Sequence, residues 1–199
     1  MGLNIWKDLK VEEIIEHLNY IPDNLASKHF QIFINDLYIS ASVPPEGDSN
    51  QILKLLETRL FKIKNSGQSN YLYKLVLQLP KGNRWDIWRK WQIEYELINR
   101  QDKKACEFIN VESKSNLKNF WQMARIFCLS IEGKRDQSEF MLDLIKSRGF
   151  NDEIFEELFQ SIYNEVNDTN IENNKNKIQP LHVVMMDTLK IPIKANYIA

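Results

Sequence analysis

Shifted by 33 residues against itself, the chain from Asn83 onward meets a second copy of its own apolar pattern. Ile87 falls on Phe120, Trp88 on Trp121, Ile93 on Ile126, Ile98 on Ile131, Ala105 on Ser138, Ile109 on Leu142 and Val111 on Leu144. Each copy holds two apolar runs at helical spacing, separated by a polar turn, "NRQDKK" in the first and "EGKRDQ" in the second. That is the pattern of a helix hairpin. The small residue, Ala105 or Ser138, comes just after the turn, where the second helix must approach the first closely. One such hairpin leaves an apolar face uncovered, so two in tandem predict a stack of antiparallel pairs.

Helical spacing also runs through the rest of the chain, without the period of 33. Val11, Ile14, Ile15 and Leu18 share one face. So do Phe30, Phe33, Ile34, Leu37 and Tyr38, and again Ile52, Leu55, Leu56, Leu60 and Ile63. Turn-forming segments separate them: "YIPDN", "SVPPEGDSN", "NSGQSN" and "LPKGN". Asp48 or Ser49 caps the third helix, and Pro80 with Gly82 closes a fourth that begins near Ser69. After the second hairpin, Phe155, Leu158, Phe159 and Ile162 mark a further helix. The Asn-rich run "NDTNIENNKNK" reads as a flexible linker, because it has too little apolar surface to order itself. Pro180 suits the first turn of a last helix, and Pro192 ends it. The expected fold is all-α, about nine or ten helices in stacked antiparallel hairpins. Residues 1–82 form a helical bundle or divergent repeats, 83–166 two hairpins and a following helix, 167–177 the linker, and 178–199 a C-terminal capping helix.

The hairpins resemble the tetratricopeptide class of α-solenoid repeats, whose period is about 34. Gly133, Ser138, Leu142 and Ile145 follow that class's turn glycine, small residue and subsequent apolar positions. Arg100 departs from it by standing where the earlier hairpin would carry glycine, and Ile126 by standing where the class has a small residue. The resemblance implies a scaffold that holds a partner protein or peptide in a groove. The run "FWQMARIFCLSIEGKRDQSEFMLDLIKSRG" with "PLHVVMMDTLKIPI" also resembles a family of bacterial cell-envelope helical-repeat proteins, which implies an exported, longer parent chain.

Composition narrows the partners. Twenty-six Lys and Arg against 27 Asp and Glu leave a formal charge of -1, so no global field draws the chain to nucleic acid or to anionic lipid. Six Gly and six Pro are few for the many tight turns of an all-β fold. No stretch approaches the ~18 apolar residues of a membrane span. The N-terminus lacks the basic start and apolar run of a secretory signal. Trp6 stands where a myristoylation motif needs Ser or Thr.

Chemistry-bearing residues are sparse. His17, His29 and His182 lie on separate helices, and no nucleophile, zinc or phosphate-loop motif accompanies them. His182 and Asp187 point to different faces of one helix. The chain is therefore expected to be no enzyme and to need no cofactor or metal. Cys106 and Cys128 read either as two buried small apolar residues or as a disulfide joining adjacent helices; the bridge requires Cα atoms within ~7 Å and an oxidising compartment. "RWDIWRKW" puts Trp85, Trp88 and Trp91 on one helical face, as in a core helix with a basic solvated side. Asp152, Glu153, Glu156 and Glu157 read as the solvated face of their helix. Arg89, Gln92, Gln122 and Arg125 fall off the core pattern at corresponding places in the hairpins and are the candidate groove residues. The expected function is a non-enzymatic scaffold or adaptor; the alternative is a structural or positioning fragment of a larger cell-envelope protein or cell-wall enzyme.

Overall fold

A computed structural model describes residues 5–23, 25–40, 43–164 and 178–193. The described residues form ten α-helices and no strand; the segment expected to be a linker lies outside them. The chain divides into two compact units, Met1–Lys81 and Gly82–Ala199.

In the first unit α1 (Val11–Tyr20), α2 (Lys28–Ile39) and α4 (Ser69–Val76) each pack against α3 (Ser49–Asn65). Asp48 is the cap of α3: its carboxylate accepts the Gln51 amide at 2.9 Å, and the Gln51 side chain accepts the Asp48 amide at 2.6 Å. From the opposite end, α3 sends two cations to the carbonyls that terminate its neighbours. Arg59 donates to the Tyr38 and Ser40 carbonyls at 2.8 and 2.7 Å. Lys62 donates to the Ile21 carbonyl at 2.7 Å and to Asp23 at 3.1 Å. Positive charge there complements the negative ends of α1 and α2. Burial, with Asp23 adding, pushes the Tyr38 phenol up to about 12. Gly47 lies so close to α1 that a Cβ on it would come 2.6 Å from Val11 Cγ2.

In the second unit, a 3-10 turn (Asn83–Trp85) leads into α5 (Asp86–Ile98), α6 (Asp102–Glu112), α7 (Asn119–Ile131), α8 (Arg135–Lys146), α9 (Glu153–Asn164) and α10 (Pro180–Thr188). Consecutive helices from α5 to α8 pack on one another, and α7 also touches α9. The offset of 33 is visible in the backbone. The α5–α6 turn closes with Arg100 N–H to Leu97 O and Gln101 N–H to Glu96 O, at 3.0 and 2.8 Å. The α7–α8 turn repeats this with Gly133 to Ser130 and Lys134 to Leu129, at 3.1 and 2.9 Å. Gly133 takes a left-handed φ of 73°, and Arg100 takes 56° in the same role. For a residue with a Cβ that conformation costs about 1–2 kcal/mol, so local contacts must hold it there.

Four of the seven matched pairs bury both members: Trp88 with Trp121, Ile93 with Ile126, Ala105 with Ser138, and Ile109 with Leu142. Ile87, Ile98 and Val111 are exposed instead, so the apolar pattern at these matched positions does not mark the core. They lie at or next to helix ends. Residues 121–130 of α7 are all buried except Arg125. Cys106 and Cys128 are joined in a disulfide between α6 and α7, with Cα atoms 5.6 Å apart. Both are buried in one continuous core that includes Trp121, Phe127, Phe155 and, from the last helix, Leu181, Val184, Met185 and Met186.

Candidate functional site

The last helix does not sit at the end of the row. α10 packs against α9 and also against α5, the first helix of the unit. It therefore packs on both, and its apolar residues join the core of the second unit. Leu181, His182, Val184, Met185 and Met186 are all buried there. At about 100° per residue these positions cover an arc of roughly 200°, far wider than the stripe of a helix lying on a surface.

Polar contacts hold both ends of α10. At its start, His182 Nδ1 accepts the Gln179 amide at 3.2 Å. The ring's proton is thereby assigned to Nε2, which lies 3.2 Å from Asp152 Oδ2 without the alignment of a hydrogen bond. Asp152 is the cap of α9, accepting the Phe155 amide at 3.0 Å. Burial raises the Asp152 carboxyl, but the His182 ring and the Phe155 amide outweigh it and hold the group below the usual carboxylate range. At the far end of α10, Arg100 reaches Asp187 at 3.2 Å and Thr188 at 2.8 Å, and holds Asp102 at 3.0 Å. The left-handed Arg100 thus spends its strain on clamping α10 to the α5–α6 turn.

α5 also carries a polar row. Arg89 donates to Gln92 at 3.4 Å, Gln92 to Glu96 at 3.1 Å, and Lys104 pairs with Glu96 at 3.2 Å. Gln92 and Glu96 are buried, Glu96 completely. Gln92 is therefore no exposed groove residue; its amide links the half-buried Arg89 to the buried Glu96. Gln122 is buried too, donating to the Ser113 and Asn116 carbonyls at 3.0 and 2.9 Å and so closing the end of α6. Both corrections have one cause: buried amides are recruited to satisfy groups that would otherwise lack partners. Arg89 and Arg125 are half-buried, and the Arg125 Nε is buried without a hydrogen-bond partner.

No known protein family, curated protein or solved structure matches the chain.

Trp85 and Trp88 are buried, while Trp91 is half-buried and stacks on Tyr95 at 5.3 Å. Lys90 caps the Phe120 ring at 4.9 Å, so the basic side of α5 is partly used in packing. The acidic face of α9 is also engaged: Glu156 pairs with Lys146 at 2.5 Å and Asp152 faces His182. Sequence reasoning placed His182 and Asp187 on different faces of one helix, and the structure agrees, giving each a distant partner, Asp152 and Arg100. Asp152, read from sequence as part of a solvated face, is instead the half-buried cap of α9, and nothing in the spacing announced pairings across 30 and 87 positions. Among the described residues no group of three or more His, Cys, Asp or Glu gathers to hold a metal. What the arrangement offers is a core helix, α10, held against α5 and α9 with charged groups at both of its ends.

Proposed function

We propose that the chain is a non-enzymatic helical-repeat scaffold or adaptor of the tetratricopeptide-like kind, which binds a helical segment of another protein. The observation that carries this reading is the tandem of hairpins α5–α6 and α7–α8, whose turns close with the same pair of backbone hydrogen bonds 33 positions apart. Helix-in-groove recognition relies on a few buried apolar anchors, with charges at the ends setting direction. Arg89 and Arg125 are the two groove candidates that reach the surface, and they would supply positive charge to a partner laid across α5 and α7. The test is site-specific photo-crosslinking in the source cells from positions 89 and 125 of the full chain, with Lys103 as an exposed control. One saturable polypeptide captured from 89 and 125 and not from 103 supports the adaptor. Equal, unsaturable capture from all three refutes it.

A second reading is a positioning fragment of a larger cell-envelope protein, and the Cys106–Cys128 disulfide favours it, since such bonds persist in oxidising compartments. Thiol alkylation in intact cells tests it. Alkylation of both cysteines without reductant would place the chain among reduced proteins and end the envelope reading.

A further inference from the structure

We infer that the chain pairs with a second copy of itself through the first unit, α2 lying antiparallel against α2 of the other copy about a two-fold axis near Ile32. The inference goes beyond the adaptor reading and does not depend on it, since the groove candidates Arg89 and Arg125 belong to the second unit.

The apolar residues of α2 are too widely spread for a helix with one covered side. Ile32, Phe33, Ile34, Leu37 and Tyr38 span an arc of roughly 240° at about 100° per residue. Ile34 and Tyr38 are buried, but Phe30, Ile32 and Phe33 stay 52, 53 and 50% exposed, with the two Phe rings stacked at 6.0 Å. Exposed apolar surface gathered in this way marks an interaction site. The charges on the same face say what covers it. Lys28, Ile32 and Asp36 stand one turn apart in a single exposed row about 12 Å long. Among the described residues neither Lys28 nor Asp36 takes part in an ion pair. Turned end for end, the row complements itself: Lys28 meets Asp36 of the other copy at both ends, and Ile32 meets Ile32 in the middle. Such a contact is closed at two copies. Both charges also sit at the wrong ends of their own helix, Lys28 in the first turn and Asp36 in the last, against the macrodipole. An antiparallel copy reverses this, because its negative end lies beside Lys28 and its positive end beside Asp36. A parallel copy would set Lys28 on Lys28, and a lipid surface or a partner of one charge sign would satisfy one end alone.

The experiment is sedimentation equilibrium of the full chain from ~1 to ~300 μM, the range in which so small an interface associates. The wild type is expected to pass from monomer to dimer within it. Ile32→Asp places a charge at the two-fold axis and should raise the dimer Kd at least ~10-fold. The position is exposed in one copy, so the thermal melt of this variant by circular dichroism should match the wild type well below the wild-type Kd. Lys28→Glu and Asp36→Lys each bring like charges together at both ends, and each alone should weaken the dimer ~5–20-fold at low salt. Mixed in equal amounts, these two variants should form a heterodimer of about wild-type strength, and Lys28→Glu/Asp36→Lys in one chain should restore self-association. That rescue reads the pairing even if Ile32→Asp does not fold. A wild type that stays monomeric throughout overturns the inference, as does a dimer that Ile32→Asp leaves unchanged in a folded chain. Weakening by the single charge variants without rescue in the mixture overturns the antiparallel arrangement. Monomers that sediment with vesicles of anionic lipid would give the face to a membrane surface and overturn the choice of a second copy.

Discussion

Reducing the Cys106–Cys128 bond should loosen the second unit by a predictable amount. The bond closes a loop of 22 positions between α6 and α7. Loop-closure entropy for that length gives about 3 kcal/mol of stabilisation, acting through the unfolded chain. For a domain of this size each kcal/mol moves Tm by roughly 4 °C, so the unit should melt about 12 °C lower when reduced. The assay is a thermal melt of the full chain with and without a phosphine reductant, read by circular dichroism. Cys106→Ala/Cys128→Ala serves as the control that must melt low and ignore the reductant. Both sulfurs are buried, so reduction is carried out on the partly unfolded chain before refolding. A shift under about 2 °C would refute the reasoning, as would two free thiols by mass spectrometry under non-reducing conditions.

Three further outcomes follow from local geometry. Gly47→Ala forces a Cβ against the fully buried Val11 and should cost ~1–3 kcal/mol in denaturant midpoint; Val11→Ala should cost less in that background than alone. Gly133→Ala should cost ~1 kcal/mol by imposing a left-handed φ on a residue with a Cβ, whereas Arg100→Gly should be near neutral, because strain relief offsets the lost exposed ion pairs; both are read by urea unfolding. Asp152 has a folded pKa below its unfolded one, so its stabilising effect is complete above the unfolded value near ~3.9 and is lost as pH falls through the lower folded value. An acid titration of Asp152→Asn should therefore lack part of the wild-type loss below about pH 4; identical acid curves would contradict the pairing with His182.

Much of the helical layout was legible because it is local. Caps such as Asp48, the apolar periods and the turn at Gly133 are set by residues within a few positions of one another, and the offset of 33 carries through to matching backbone turns. The site was legible only in part. Arg89 and Arg125 reach the surface, but Gln92 and Gln122 are drawn inward by acceptors on other segments, Glu96 and the end of α6. Polarity in the sequence does not distinguish a solvated amide from one recruited to a buried carbonyl. The placement of α10 against α5 was illegible for a related reason: it depends on tertiary fit between helices 80 or more positions apart, which leaves no periodic trace. Arg100 was the one local sign, a non-glycine where the turn wanted glycine, and its explanation lies on α10.

The enclosure of α7 bears on how this sequence can change over time. An ordinary amphipathic helix has a wet side on which substitutions are nearly free. α7 has almost none: from Trp121 to Ser130 only Arg125 reaches solvent, while Cys128 is bonded across to α6 and Gln122 closes that helix. Drift in the second unit is thus channelled to α6 and α8, whose outer faces are open. In a saturation mutagenesis screen for soluble protein, α7 would stand out as a nearly uninterrupted block of intolerance, with a single gap at Arg125.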